Sequence, residues 1–337
     1  MSSVYYVLSH QRIPLEAILS ATNNFAEENV IGESWVNKRY KGQLLWSGEL
    51  IEIDARRLNK DLDDGEQMFW MEISRLSTLK HKNLVSLVGF CDDNDEKIII
   101  YRHETRGGLN NYLSDPMLLT WVRRLEISLG VAHALSYIHY YDESCDFSMN
   151  FDSATVLLND DWEPKLSCFE VSMKIEASRR HNSFHTHKLQ HTYGYGDPTY
   201  IEAKSVSQKS DIYSFGIVLL ELLCGRKSII TNDQDNKYLV PVVLFHHREK
   251  ILNDIIDPNL WKQMDPQSLK IFVETAHDCF NQERSQLSSI DEIVPRLEIA
   301  LELQLERENA LNEHSIVAAD TASTHQKVIT CQINYKK

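Results

Sequence analysis

Short apolar stretches separated by turn residues dominate the first hundred residues, a pattern typical of antiparallel strands. Between residues 30 and 53 these stretches are broken by Gly32, Gly42 and Gly48, which predicts several small strands. A hairpin is predicted next, where the turn DDNDE (92–96) joins LVSLVGFC (84–91) to KIIIY (97–101). The first part of the chain is therefore predicted to be mainly β.

Helical spacing occurs twice within this part. The stretch IPLEAILSATNNF (13–25) predicts a short docking helix. Farther along, Asp63, Asp64 and Gly65 precede an amphipathic stretch, and acids are favoured at a helix N-terminus. The apolar face of this second helix comprises Phe69, Ile73, Leu76 and Leu79.

Beyond the Gly107-Gly108 break the pattern becomes helical. Buried-face helices are predicted around residues 125–135, from 211 to 223 and from 290 to 303. A polar, irregular stretch from 172 to 190 is long enough to form a functional or mobile loop. Periodicity is lost from about residue 306, so the last part is expected to fray.

These patterns predict an α+β fold with two lobes. We expect an N-terminal arm over residues 1–20, with its docking helix beginning near residue 13, and a small β-rich lobe with one helix over 21–105. A larger helical lobe is expected over 106–304, followed by a mobile tail over 305–337.

Composition narrows the class of protein. A chain of 337 residues with 42% apolar residues can bury a sizeable core. Its formal charge of −14 argues against a nucleic-acid partner or an anionic-membrane surface. The longest apolar stretch, residues 212–224, is too short to cross a bilayer and contains Glu221, so no direct membrane insertion is expected. Six cysteines without a C-x-x-C pair favour a reducing, cytoplasmic environment.

A series of motifs in fixed order gives a specific resemblance. They are ATNNF (21–25), Y-K-G (40–42), LKHKNLVSLVGFC (79–91), W-x-x-R-L-E-I (121–127), W-E-P-K-L-S (162–167), G-Y-x-D-P (194–198) and KSDIYSFGIVLLELLCGR (209–226). Over about residues 12–304 the chain resembles the cytoplasmic kinase domain of plant receptor-like kinases, in particular the FERONIA type with malectin-like ectodomains. The resemblance implies a bilobal protein-kinase fold.

The resemblance also implies where nucleotide and catalytic residues should lie, and the first departure is in the glycine-rich loop. The family pattern G-x-G-x-x-G-x-V falls on Gly32, Ser34, Asn37 and Arg39. Glycines let backbone N–H groups approach the phosphates closely. Side chains at two of the three glycine positions should keep this loop from lying flat over a triphosphate.

The strand that carries the phosphate-binding lysine of the family is altered as well. Its V-A-I-K motif falls on residues 53–56, which places Asp54 beside the base pocket and Arg56 at the lysine. Tyr101 is a further nucleotide-pocket position, and the helix partner of the lysine survives as Glu72. Either Arg56 pairs with Glu72 and holds the lobe in an active-like arrangement without nucleotide, or it is an ordinary surface arginine.

The catalytic loop departs furthest from the family. Its base aligns with Asn150 and its metal-binding asparagine with Thr155, in an uncertain register over residues 145–155. The metal-binding aspartate of D-F-G aligns with Cys168, a soft ligand for a hard cation. Asp152 is more simply explained as a solvated loop acid than as a displaced base, and Glu170 is disfavoured as a replacement metal ligand because the family has glycine there. Asp211, which anchors the catalytic loop in the family, is kept.

Two functions follow as alternatives. We expect a pseudokinase with no cofactor, acting as a scaffold or allosteric partner of active receptor-like or cytoplasmic protein kinases and their substrates. The alternative is a weak Ser/Thr kinase that binds ATP and Mg²⁺. The chain is expected in the cytoplasm, with recruitment to the inner face of the plasma membrane depending on a partner. A metal site in the histidine-rich stretch 181–191 is disfavoured, since no carboxylate or Cys pattern supports it.

Overall fold

The computed structural model of the protein describes residues 8–140, 144–147, 151–167, 169, 173–185, 194–230, 237–280 and 288–311. The described residues confirm the predicted α+β organisation, with a small sheet-based lobe followed by a larger helical lobe. Within them, no helix has both the length and the apolar composition needed to cross a bilayer.

The small lobe is built on a five-stranded antiparallel sheet with the strand order β1-β2-β3-β5-β4. The strands are β1 (Val30–Glu33), β2 (Asn37–Trp46), β3 (Glu49–Leu58), β4 (Leu87–Cys91) and β5 (Ile98–Arg102). Ser47 and Gly48 form the turn between β2 and β3 with φ of 50° and 87°, as a tight two-residue hairpin turn requires. This turn pairs Trp46 with Glu49 and so sets the register of both strands.

Two helices flank this sheet, α1 (Leu15–Ala21) and α2 (Gly65–Thr78). The prediction that Gly42 breaks a strand was wrong, because β2 runs through it without interruption. A Cβ at Gly42 would lie 2.5 Å from the carbonyl oxygen of Ala21, at the end of α1. The glycine therefore allows the N-terminal helix to lie close against the sheet.

The N-terminal segment also contacts β4, an edge strand of the sheet. Ile13 donates its backbone N–H to Phe90 on β4 at 2.8 Å, and Arg12 forms ion pairs with Asp92 and Asp93. Ile13 and Ile18 belong to the apolar cluster on the outer sheet face. The segment predicted as a docking arm is thus an integral part of the small lobe.

The large lobe is mainly helical. Its helices are α3 (Trp121–Tyr140), α4 (Pro198–Ala203), α5 (Gln208–Cys224), α6 (Leu239–Arg248), α7 (Pro258–Trp261), α8 (Pro266–Asp278) and α9 (290–311). Its short strands are β6 (Gly107–Gly108), β7 (Ser144–Phe147), β8 (Val156–Leu158), β9 (Pro164–Leu166), β10 (Met173–Glu176), β11 (Phe184–His185) and β12 (Ser205–Val206). Fourteen of the residues of α5 are buried, as its nearly continuous apolar sequence predicts.

Two boundaries differ from the predictions. Helix α9 continues to residue 311, past the predicted lobe end at 304, because Gln304 is buried and Arg307 donates to the carbonyls of Gln263 and Met264. The stretch predicted as an irregular loop from 172 to 190 contains two short strands, since β10 pairs with β7 and β11 pairs with β12. The predicted tail from 312 onward lies outside the described residues.

Candidate functional site

The turn between β1 and β2 occupies the place of the glycine-rich loop. Ser34 accepts through its Oγ from the backbone N–H groups of Val36 at 3.3 Å and Asn37 at 3.2 Å. Its own N–H donates to the carbonyl of Asn37 at 2.8 Å. The backbone N–H groups of Ser34, Val36 and Asn37 are therefore engaged within the turn itself.

Arg39 and Asp54 form an ion pair on the inner face of the sheet. Arg39 donates through both Nε, at 2.9 Å, and Nη2 to the same Asp54 carboxylate oxygen, Oδ2. Asp54 is only 2% exposed. By the resemblance, both side chains stand where apolar residues should contact adenine, so the base pocket contains a charged pair.

A second polar group surrounds Arg56. Its Nη1 donates to Glu72 Oε2 at 2.6 Å, and both side chains are buried. With its amide oxygen turned toward Arg56, Asn37 accepts from Nε at 2.9 Å and Nη2 at 3.0 Å. Three predicted site residues, Asn37, Arg56 and Glu72, thus lie together. The contact between Arg56 and Glu72 links β3 to helix α2.

The strand register explains why these residues meet. Arg39 lies directly opposite Arg56, and Asp54 lies opposite Tyr101 on β5. Side chains at directly opposite and diagonal positions share one face of a sheet, so Arg39 and Asp54 are diagonal neighbours there. Tyr101 is buried on this face beside them. Gly32 lies next to Arg39, since a Cβ at Gly32 would be 3.7 Å from the Arg39 Cδ.

Asp152 and Thr155 form a closed turn in the catalytic-loop region. Asp152 Oδ1 accepts from the backbone N–H groups of Ala154 at 2.7 Å and Thr155 at 2.9 Å. Thr155 Oγ1 donates to the Asp152 carbonyl at 2.9 Å. The expectation of a solvated loop acid was wrong, because Asp152 is 7% exposed and caps this turn. One oxygen of its carboxylate, Oδ1, therefore accepts from two backbone donors.

Two other positions assigned from the resemblance cannot be placed. Asn150, at the position of the base, and Cys168, at the metal-binding aspartate, lie outside the described residues. So do Glu170, His187 and His191, which were weighed as metal ligands from the sequence. Among the residues that the structure describes, no three His, Cys, Asp or Glu side chains are grouped as metal ligands.

Asp211 contacts the end of helix α3. Its Oδ2 is 2.9 Å from His139 Nε2, and both side chains are 1% exposed. Gln208 donates to the His139 carbonyl at 3.1 Å. Sequence reasoning missed the histidine, because 72 residues separate the pair and no local pattern connects them.

A further buried network joins the turn to helix α5. The Tyr195 hydroxyl donates to Glu221 Oε1 at 2.5 Å and lies 3.1 Å from Ser153 Oγ. The Ser228 backbone N–H donates to the same Glu221 oxygen at 2.6 Å. Burial raises the pKa of Glu221 to about 7. This carboxyl group was not among the predicted site residues.

Comparison with known proteins gives the same family as the motifs. The protein kinase domain profile matches residues 25–296. Three similar curated proteins of Arabidopsis thaliana are the receptor-like protein kinases ANXUR2, HERK 1 and FERONIA, which are 35%, 35% and 32% identical over 298, 300 and 290 residues. These alignments cover 87%, 88% and 85% of this chain.

The same alignments cover 34%, 35% and 32% of the relatives, so the chain spans about a third of their length. What they share is therefore the kinase region, with its sheet-based small lobe and helical large lobe. The chain belongs to the protein kinase domain family, and within it to the receptor-like kinases of the FERONIA type.

Proposed function

We propose that this chain is a pseudokinase, a kinase-shaped module that acts in protein-kinase signalling as a scaffold or allosteric partner and needs no nucleotide. One observation carries the proposal. The polar residues that replace the nucleotide-binding set are bound to one another, Arg39 to Asp54 and Arg56 to both Glu72 and Asn37. Charges that are already paired with one another offer little to a triphosphate.

The base pocket fits adenine poorly for a physical reason. Adenine is held mainly between apolar surfaces, whereas here it would have to displace or desolvate a buried ion pair. Opening the pair would leave the Asp54 carboxylate, 2% exposed, without its counter-charge. The loop amides near Ser34 are engaged as well. Neither the base nor the phosphates of a nucleotide would therefore find a preformed binding site.

The residue types in the catalytic loop argue against phosphoryl transfer. Loss of a general base costs about 10²–10⁴ in rate. Loss of a preorganised charge stabiliser costs about 10²–10³, and such factors are not additive. Asn150 cannot accept a substrate proton as an aspartate does, and Asp152 is held by two backbone N–H groups. We therefore infer negligible phosphoryl transfer.

The retained structure supports an allosteric role. In kinases the ion pair between the strand lysine and the helix glutamate marks the active arrangement of the small lobe. Here the Arg56–Glu72 contact joins β3 to helix α2 without a ligand. The module would therefore present a constant surface to active receptor-like or cytoplasmic protein kinases and their substrates, at the inner face of the plasma membrane when a partner recruits it.

The alternative is a weak Ser/Thr kinase that still binds ATP. The positive charge at Arg56 and the retained Glu72 favour it, since a cation at this position could contact phosphate. Both side chains are already paired with each other, which is why we prefer the first reading.

Nucleotide binding separates the two functions. The melting temperature of the purified chain should be the same with ATP plus Mg²⁺ or Mn²⁺ as with the metal alone, and calorimetry should detect no heat of ATP binding. A metal-dependent stabilisation would contradict the proposal. In that case, autophosphorylation by the wild type but not by Arg56→Ala would establish the weak kinase instead.

A further inference from the structure

The turn that joins β1 to β2 carries an exposed tryptophan. Trp35 is 69% exposed, the highest fraction for any Trp, Tyr or Phe side chain that the structure describes. Its neighbour Val36 is buried and packs with Met68 and Leu62, so the turn is held in place next to the indole. An indole left in water on an anchored turn is typical of a residue that anchors a protein partner.

The loop that follows β3 lies against this turn. Asn59 donates its backbone N–H to the Val36 carbonyl at 2.8 Å and its side-chain amide to the Trp35 carbonyl at 3.5 Å. The side-chain oxygen of Asn59 accepts in turn from the N–H of Asp61 at 3.2 Å. Asn59 thereby holds the start of an acidic stretch beside the tryptophan.

Three exposed acids lie in this stretch, Asp61, Asp63 and Glu66, and we call them the acidic rim. In the part of the chain that the structure describes, no cation lies within ion-pair distance of any of the three. Acids before a helix also stabilise its N-terminus. That role does not account for an indole exposed next to them.

The cations near the acidic rim are already engaged elsewhere. Lys60 and Arg57 pair with the buried carboxylate of Glu96, at 2.9 Å and 2.7 Å. Lys97 lies 5.7 Å from the centroid of an aromatic ring on α2. Lys38, on β2, is within ion-pair distance of two carboxylates. The surface around the tryptophan therefore keeps an excess of negative charge.

We propose that Trp35 and the acidic rim form a docking site for a Lys- or Arg-rich segment of a partner protein. The face of an indole attracts a guanidinium or ammonium group, and nearby carboxylates attract the other cations of the segment. The inference rests on the proposed function, since a scaffold or allosteric partner needs a surface that contacts the protein it serves. It identifies the charge of that protein's segment and the residue that anchors it.

The test uses a short labelled peptide with four arginines in a Gly/Ser sequence. Its binding to the full chain is measured by fluorescence anisotropy without nucleotide and at low ionic strength. The peptide is expected to bind, whereas its twin with glutamine in place of arginine is not. Added salt should weaken the binding, because exposed charges are screened.

Variants at the site should separate the roles of the ring and the charges. Trp35→Ala should weaken binding about tenfold, because the cation–π contact with the indole is lost. Trp35→Phe should lie between the two, since phenylalanine keeps a weaker π face. Asp61→Asn/Asp63→Asn should weaken binding about fivefold and reduce its salt dependence, because exposed charges each contribute modestly.

Two matched control variants should bind the peptide as the wild type does. Trp261→Ala removes another exposed tryptophan, on α7, and Glu302→Gln/Glu306→Gln removes two exposed acids from α9. Melting curves should show that every variant is folded. Equal binding by Trp35→Ala and the wild type would overturn the proposal. So would equal weakening by the α9 and acidic-rim variants, because the attraction would then come from the net charge of the chain.

The docking site and the pseudokinase proposal can fail separately. ATP binding would refute the pseudokinase but leave the peptide measurements, which are made without nucleotide, unchanged. Absence of peptide binding would overturn the docking site and leave the melting temperatures with ATP as they are.

Discussion

Arg39 and Asp54 lie on neighbouring strands, and both donor groups of the Arg39 side chain, Nε and Nη2, converge on one oxygen of the Asp54 carboxylate. The aspartate is almost completely buried, whereas the arginine is partly exposed. Each residue alone would place an uncompensated charge in a base pocket, whereas together their opposite charges are paired. The pair therefore suggests that the two replacements are coupled.

The first prediction is a strong non-additivity between these positions. Arg39→Val leaves a buried carboxylate without its partner and should lower the free energy of unfolding by about 3–5 kcal/mol. The double variant Arg39→Val/Asp54→Ala removes both charges and should be close to the wild type. Urea unfolding of the wild type, both single variants and the double variant measures the coupling. Additive effects would mean that the ion pair does not hold the two strands together.

The second prediction concerns the geometry around Arg56. Arg56→Lys keeps a cation near Glu72 but cannot also donate twice to Asn37, so it should cost about 1–3 kcal/mol. Arg56→Met removes the cation that contacts Glu72, which is 1% exposed, and should cost about 3–5 kcal/mol. Chemical denaturation gives both values. If the lysine variant matched the wild type, the fork of the arginine would have no structural role.

Local patterns predicted most of the fold, because they record burial directly. The acids before Gly65 and the apolar face from Phe69 to Leu76 predicted helix α2, which runs from Gly65 to Thr78. The hairpin of β4 and β5 followed from the DDNDE turn in the same way. The strand break predicted at Gly42 was wrong, because a glycine inside a strand can also allow another segment to approach the backbone closely. Here that segment is the end of α1 at Ala21.

Contacts within the site were harder to predict, for different reasons. The Arg39–Asp54 pair could have been found, since the Ser47-Gly48 turn places Arg39 opposite Arg56 and hence diagonal to Asp54. The burial of Asp152 depends on the surrounding lobe, and no nearby residue signals it. Comparable long-range packing brings His139 to Asp211. The motifs indicated the candidate residues, but only the assembled lobes define the contacts between them.

The third prediction concerns Arg124, a fully buried residue of helix α3. Its guanidinium donates to the carbonyls of Leu119 at 2.7 Å, Leu222 at 2.7 Å and Leu113 at 2.8 Å, and burial lowers its pKa to about 10. Arg124→Met would leave three carbonyls unsatisfied and should destabilise the chain by about 3 kcal/mol or more.

Its neighbour Arg123 provides the control for this prediction. Arg123 is partly exposed and donates to the Leu118 carbonyl at 2.6 Å, so Arg123→Met should cost no more than about 1 kcal/mol. Thermal unfolding followed by circular dichroism compares the two. Similar melting temperatures for both variants would show that the three carbonyls find water when the guanidinium is removed.

The last prediction is a pH dependence that arises from Glu221. Burial raises the pKa of this carboxyl group from its ordinary 4.5 to about 7, so the folded protein binds the proton more tightly than the unfolded chain does. The free energy of unfolding should therefore fall as the pH rises from about 4.5 to about 7, by at most about 3 kcal/mol, and then level off.

Glu221→Gln tests this assignment, because the amide does not titrate while its oxygen can still accept from Tyr195 and Ser228. At pH 5 the wild-type carboxyl group is neutral with its O–H at Oε2, so the acid and the amide both place a donor where the described residues offer no partner, and the two proteins should be similarly stable. As the pH rises to 8, the variant should become the more stable of the two, because only the wild type loses stability. Denaturation at four pH values, with exposed Glu249→Gln as control, measures this change; a difference that stays constant with pH would assign the titration to another group.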